Sequence, residues 1–269
     1  MIVSLVSFFK APRKLDLWQF PGKGVHGWFL EQIERIDPSL SARLHEAKEK
    51  AFTVSSILAA SPQDLCSGEG THWIRITSLE EELSEVLVSL KAGDLGALRV
   101  EGTELEVTET LWDNHPWAAR SSYTELYNNG LIWARKRKED TIGLCFVTPT
   151  AFRMVNTRLN MPLPWPRLVF QSLANKWNAF APMQLWINWA DFDRQVTVAR
   201  FDLKTKLLDF GGFRQVGFVG ECWFLIDPEA RVSLRHALYT LAQFAFYAGV
   251  GRKTTMGMGM VRPLGSRDA

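Results

Sequence analysis

Between Gly249 and Gly259 the chain reads Gly-Val-Gly-Arg-Lys-Thr-Thr-Met-Gly-Met-Gly, and a long apolar stretch, helical in spacing, runs straight into it. Four glycines in so short a segment break any helix or strand, so a loop must join that helix to whatever follows. Glycine also admits positive φ and close backbone approach, which leaves N–H groups able to donate to an anion. Arg252 and Lys253 add charge suited to phosphate. A Rossmann glycine loop follows a strand and opens a helix, the reverse of this order, which disfavours a dinucleotide site. A Walker loop needs glycine immediately before its Lys-Ser/Thr, and Lys253-Thr254 lacks it. What remains is a polyanion-binding loop between a helix and a final strand ending at Arg262-Pro263.

The rest of the first half alternates strand and helix patterns. Residues 2–9 read as a strand, and residues 23–36 as a helix with Val25, Phe29, Ile33 and Ile36 on one face. Asp37-Pro38 stops that helix and starts a short one carrying Leu40 and Leu44, with Asp37 as N-cap and Pro38 in the first turn. Residues 52–60 and 71–77 pair as strands across a Ser/Pro/Gly loop, 80–91 is an acidic amphipathic helix, and 97–111 is strand broken at Glu101-Gly102. The order β-α-β-β-α-β is ferredoxin-like. The second half repeats it loosely: a strand at 142–148, a helix at 168–180, strands at 196–201 and 218–226 around Gly211-Gly212, and a helix capped by Asp227-Pro228 with Leu234, Leu238, Leu241 and Ala245 inward. The fold class is α+β, with two domains at 1–137 and 138–269.

Composition narrows the function classes. The apolar fraction of 46% suits a globular chain and excludes a disordered one. Cys66, Cys145 and Cys222 are odd in number and far apart, which argues against a disulfide framework or a thiolate metal site and suits a reducing cytoplasm. Apolar residues precede the first positive charge, the opposite of a secretion signal, and no apolar run reaches the roughly 18–20 residues that span a bilayer. A soluble cytoplasmic protein without membrane contact is expected. The net charge is only +2, yet residues 194–269 carry 11 basic and 6 acidic side chains while 1–193 are net negative. The basic excess lies in the part that ends in the glycine loop. A second cluster, Arg135-Lys136-Arg137-Lys138, reads as a solvated loop or a binding patch.

Of His26, His45, His72, His115 and His236, none is paired at metal-site spacing, so neither metal nor cofactor is expected. His26 opens the first helix after Pro21-Gly22-Lys23-Gly24, and His45 closes the second. An antiparallel helix pair joined at Asp37-Pro38 brings those ends together. The helix dipole biases a histidine at an N-terminus to the neutral form and one at a C-terminus to the charged form. Such a pair facing one phosphate is an acid–base couple for RNA cleavage; the competing reading is that one or both merely cap helix ends. His72 and His115 sit beside Trp73 and Pro116 in packing or surface roles, and His236 is expected on a solvated helix face. Trp165, Trp177, Trp186 and Trp189 crowd together; most of the eleven tryptophans are expected in the core.

Three stretches resemble one known family. They are His26-Gly27 through Asp37-Pro38-x-Leu40 to Leu44-His45-Glu46, with Lys50 and Phe52-Thr53-Val54-Ser55; Gly217-Phe218-Val219-Gly220; and Phe244 through Gly259 with its terminal glycine pattern. In order and spacing they are similar to the CRISPR repeat-RNA processing endoribonucleases of the repeat-associated RNA-binding superfamily. The resemblance implies two ferredoxin-like domains in tandem and metal-independent cleavage of CRISPR precursor RNA within its repeat. The 2′-hydroxyl attacks the adjacent phosphate, leaving a 2′,3′-cyclic phosphate and a 5′-hydroxyl. His45 matches a catalytic histidine, Lys50 a lysine that steadies the phosphorane, and His26 a second histidine of some relatives. A tyrosine used by other relatives falls near Leu30, so that role is absent here or taken by His26. The resemblance and the helix-end argument together give His26 as base, His45 as acid, and Lys23 or Lys50 as stabiliser. Gly249, Gly251, Arg252, Lys253, Thr254, Gly257 and Gly259 become the RNA-backbone clamp, with repeat RNA as partner. The alternative is a non-catalytic RNA-binding subunit of a CRISPR effector complex.

Overall fold

The first strand, β1 (Ile2–Ala11), is buried along nearly its whole length, as its run of Ile, Val, Leu and Phe requires for a strand covered on both faces. The structure, a computed structural model, describes residues 1–11, 21–59, 70–100, 102–136, 141–154 and 156–265. Helices α1 (Gly22–Ile36) and α2 (Pro38–Glu46) follow β1, then β2 (Phe52–Val54), β3 (Leu58–Ala59) and β4 (Gly70–Ser78). Helix α3 (Glu81–Ser89), β5 (Leu98–Val100), β6 (Thr103–Leu111) and the short β7 (Ala119–Ser121) come next. The spatial order β2-β4-β1-β6-β5 runs antiparallel throughout, with β3 also on β4. Leaving out the hairpin strand β5 and the short β3 and β7, the four main strands occur in the order second-third-first-fourth, which is the ferredoxin-like arrangement expected from the alternation.

The second sheet reproduces that topology. After α4 (Tyr123–Lys136) come β8 (Thr141–Thr150), the small β9 (Phe152–Arg153) and β10 (Asn160–Met161), α5 (Pro166–Phe180), α6 (Trp189–Gln195), β11 (Val196–Asp209), β12 (Arg214–Ile226), α7 (Val232–Ala248) and β13 (Val261–Pro263). Its order is β11-β12-β8-β13, again second-third-first-fourth, with β12 and β13 antiparallel to β8. Two ferredoxin-like folds therefore stand in tandem. Helix α7 buries Leu234, Leu238, Leu241 and Ala245 as the apolar spacing predicts.

Three local expectations are corrected. Ile36, placed on the core face of α1, is 45% exposed because α1 ends there and turns into Asp37. Asp227 caps a turn rather than α7: its carboxylate accepts from the Glu229 N–H and its carbonyl from the Ala230 N–H, while α7 starts only at Val232. His236 is buried, its Nε2 2.9 Å from the Tyr127 carbonyl and its ring edge-on to Tyr127, not on a solvated face.

The described residues group into two compact units. The first comprises 1–120 with 208–215 and 253–257; the second comprises 121–207, 216–252 and 258–269. Helix α4 thus belongs to the second unit. Cys66, Glu101, Arg137 and Lys138, the loop expected after residue 60, and the boundary expected at 137/138 lie outside the described residues.

Candidate active site

Helix α1 sets its buried face with Val25, Phe29 and Ile33 at i, i+4 and i+8, and Trp28 is fixed by donating from Nε1 to the Gly96 carbonyl at 2.8 Å. His26 projects from the adjoining edge of that face, half-buried, its ring stacked on buried Phe52 with centroids 5.8 Å apart and planes at 16°. Its Nδ1 lies 3.0 Å from the carbonyl oxygen of Thr255. A carbonyl only accepts, so Nδ1 carries the proton and donates. In the neutral ring this leaves Nε2 as the lone-pair nitrogen.

Burial lowers the pKa of His26 below the ordinary 6.5; the Thr255 bond opposes this, and the positive charges of Lys50 and His45 add to the lowering. The helix dipole argument gave this direction for a different reason. Helix α1 begins at Gly22, so His26 sits in its second turn, where the terminal field has largely faded.

Helix α2 holds His45 in its last turn, exposed. Asp37 caps the helix as its sequence position predicts, one carboxylate oxygen accepting from the Ser39 and Leu40 N–H groups at 2.9 and 3.0 Å. Leu40 and Leu44 are buried, the Ser41 hydroxyl donates to the Leu30 carbonyl at 3.0 Å, and Arg43 forks onto Glu80 at the start of α3 with two 2.9 Å bonds. The α1–α2 hairpin encloses a shallow cavity lined by Leu30, Glu34, Ser41, Ala42 and His45. Leu30 thus shares the His45 cavity, and it is buried.

Of the expected lysines, Lys50 uses Nζ to donate to the Leu44 and His45 carbonyls, closing the C-terminus of α2. Burial lowers its pKa. Lys23, one helical turn before His26, is exposed and reaches over the Phe213 ring at 5.0 Å. His26, His45 and Lys50 therefore form one electrostatic neighbourhood, with Lys23 one turn away on α1.

The glycine loop takes the positive φ its composition predicts: +61° at Gly249, +80° at Gly251, +89° at Gly257 and +73° at Gly259. At Gly251 a Cβ would meet the Ala151 carbonyl oxygen at 2.5 Å. The expectation of free N–H donors is corrected. The N–H groups of Gly249, Val250, Gly251, Arg252, Met256, Gly257 and Gly259 all donate within the protein, that of Gly257 to Val54 at 2.8 Å. Tight turning directs those amides onto the preceding helix, the loop itself, Ala151, Ser172 and the strand residues Val54 and Pro149, so these seven donors are already used. Residues 253–257 lie against β2, with a parallel bridge from Gly257 to Ser55, and so deliver Thr255 to His26. Arg252 instead bonds Asn160 beside Arg153, and burial lowers its pKa. Thr254 is buried.

Sequence reasoning missed Thr255, whose role is a carbonyl and carries no side-chain signal, and Phe52. It also missed Phe210 and Phe213, although Phe-Gly-Gly-Phe at a hairpin tip does signal stacked cross-strand rings. Among the described residues no group of three or more His, Cys, Asp or Glu could hold a metal ion, and no helix is long and apolar enough to cross a membrane.

Known families match the chain along most of its length. The model described as CRISPR Cas6 N-terminal domain matches residues 1–128, and that described as CRISPR-associated endoribonuclease Cas6 matches residues 144–261. The CRISPR-associated endoribonuclease Cas6 of Mycobacterium tuberculosis (strain CDC 1551 / Oshkosh) is 33% identical over 177 residues, 64% of this chain but only 52% of that protein. The chain thus spans about half the length of this curated relative. The Streptococcus thermophilus enzyme of the same name is 22% identical over 246 residues, 88% of each chain. The solved Thermus thermophilus Cas6 (TTHB231) is 28% identical and superposes with a TM-score of 0.74 over 98% of both chains. Two family models that together run through both ferredoxin-like folds place this chain in the CRISPR-associated endoribonuclease Cas6 family.

Proposed function

We propose that the protein cleaves CRISPR precursor RNA within its repeat, without metal, through His26 and His45. The observation that carries the reading is the bond from His26 Nδ1 to the Thr255 carbonyl, which fixes the tautomer whose Nε2 can take a proton. Nε2 removes the proton of the 2′-hydroxyl as its oxygen attacks the adjacent phosphorus. The bond from phosphorus to the 5′-oxygen breaks, and His45 protonates that oxygen. The products are a 2′,3′-cyclic phosphate and a 5′-hydroxyl. The lowered pKa of His26 keeps it neutral at pH 7, as a base must be. Lys23, exposed on the same face of α1, is the better stabiliser of the charged phosphorane, because Lys50 is engaged with helix carbonyls. Arg252, Lys253 and Thr254, with the glycines that shape their loop, hold the RNA backbone. The catalytic histidines and residues 253–257 of that loop belong to the first unit, and Arg252 to the second. Repeat RNA is the substrate, in the cytoplasm where the transcript is made.

Incubation of labelled repeat RNA in EDTA tests this. One cut ending in a cyclic phosphate is expected, abolished by a single 2′-deoxy nucleotide at the cleavage site. His26→Ala or His45→Ala should each slow single-turnover cleavage about 10²-fold or more with near-normal RNA affinity. Tight binding without cleavage by the unaltered protein would replace this reading with that of a CRISPR effector-complex subunit.

A further inference from the structure

In the first unit, the hairpin tip between β11 and β12 places Phe210 and Phe213 on either side of Gly211-Gly212. Their rings stack with centroids 4.9 Å apart and planes at 11°, and the Phe210 N–H donates to the Phe213 carbonyl at 3.1 Å. Phe210 is buried while Phe213 is 40% exposed. Two ammonium groups sit on this pair. Lys253 Nζ is 4.4 Å from the Phe213 centroid and 5.0 Å from that of Phe210, and Lys23 Nζ is 5.0 Å from Phe213. Since both lie so close to one ring, the two nitrogens are at most 9.4 Å apart. Lys23 lies one turn before His26, and Lys253 lies two residues before the carbonyl that His26 holds.

The backbone points the same way. Lys253 adopts φ 57° and ψ 32°, left-handed conformation that disfavours L side chains. Among the described non-glycine residues, positive φ otherwise occurs only at Asn114 and Asn156, a type that tolerates it. At Lys253 the carbonyl accepts from the Met256 N–H at 2.9 Å and Nζ reaches Met256 Sδ at 3.8 Å, while the two phenylalanine rings hold the side chain from across the fold. An aromatic face attracts an ammonium group without neutralising it, and leaves N–H donors directed away from the ring.

We propose that the stacked Phe210–Phe213 pair gathers Lys23 and Lys253 into a single phosphate subsite beside His26, with Phe213 as the positioning residue. Lys253 then serves the phosphate at the cut rather than the backbone at a distance from it. This rests on the reading of His26 as part of an RNA-cleaving site.

The test compares Phe213→Leu, which keeps apolar bulk and loses the π face, with Phe213→Tyr, which keeps the ring. Phe213→Leu should slow single-turnover cleavage about tenfold, and Phe213→Tyr should restore it to within about twofold. In a Lys23→Met/Lys253→Met background, Phe213→Leu should add nothing further. Binding to RNA made uncleavable by a 2′-deoxy nucleotide gives a second readout. Each lysine removed should reduce the slope of log affinity against log salt by about 0.7. A full tenfold loss persisting in the double-methionine background, or a tyrosine variant as slow as the leucine one, overturns the proposal. If the unaltered protein binds repeat RNA but does not cut it, the endoribonuclease reading fails separately. The salt slopes then decide, and slopes unchanged by both lysine substitutions refute the subsite.

Discussion

The pH dependence of cleavage follows from His26 with its sign fixed. As general base, His26 works only when neutral, so the rate falls on the acid side as its ring protonates. A histidine at the ordinary 6.5 would be about nine-tenths neutral at pH 7.5 and about one-tenth neutral at pH 5.5, a tenfold loss of active enzyme. Burial first, then the charges of Lys50 and His45, place His26 below that value. The single-turnover rate should therefore fall by less than about tenfold between these pH values. Lys50→Met removes one of the two charges and should steepen the acid limb without reaching the tenfold limit, since burial, the largest cause, remains. The assay is rapid-quench cleavage of labelled repeat RNA with enzyme in excess, from pH 5 to 8.5. A wild-type loss greater than tenfold, or a Lys50→Met limb displaced to lower pH, would refute both the burial argument and the assignment of His26 as base.

Linkage gives a matching stability effect. The folded state holds the His26 proton less tightly than the unfolded chain, so stability rises as pH climbs from the lowered folded value to about 6.5 and levels above it. Thermal melts at pH 5.5 and 7.5 should show His26→Asn narrowing that difference. Leu44→Ala empties a site only 1% exposed in the same turn of α2 as His45, and should cost about 2–5 kcal/mol while slowing cleavage more than it weakens RNA binding. Gly251→Ala imposes a side chain at φ +80°, worth about 1–2 kcal/mol before its overlap with the Ala151 carbonyl, and should lower the melting temperature. At Gly130 a Cβ would lie 2.0 Å from Thr240 Oγ1 and 2.9 Å from the Thr240 N, so Gly130→Ala should destabilise by about 1–3 kcal/mol in the same melts.

Much of this protein is decided by local chemistry, and that part is legible in the chain. Val25, Phe29 and Ile33 set a helical stripe, Asp37-Pro38 ends one helix and caps the next, and the terminal glycines demand positive φ. Each depends on residues within a turn or two of one another. The strand and helix alternation gave the ferredoxin-like order because few topologies accommodate it. Expectations missed at helix ends and where a distant contact intervened. Ile36 and Asp227 were misplaced because helix ends depend on what the next segment does. His236 was put in water because nothing near it in sequence announces Tyr127 across the α4–α7 contact. The glycine-loop amides bond to strands and side chains up to about two hundred residues away, which no spacing rule reveals.

The same division runs through the site. The sequence alone supplied two histidines on a helix hairpin, and a basic glycine loop. Only the tertiary structure decided the state of His26, because its tautomer is set by the Thr255 carbonyl and its lowered pKa chiefly by burial. Only the tertiary structure brought Lys253 to the ring that also carries Lys23. Proton affinity and charge placement depend on dielectric and distance in three dimensions, and a one-dimensional spacing fixes neither across a fold.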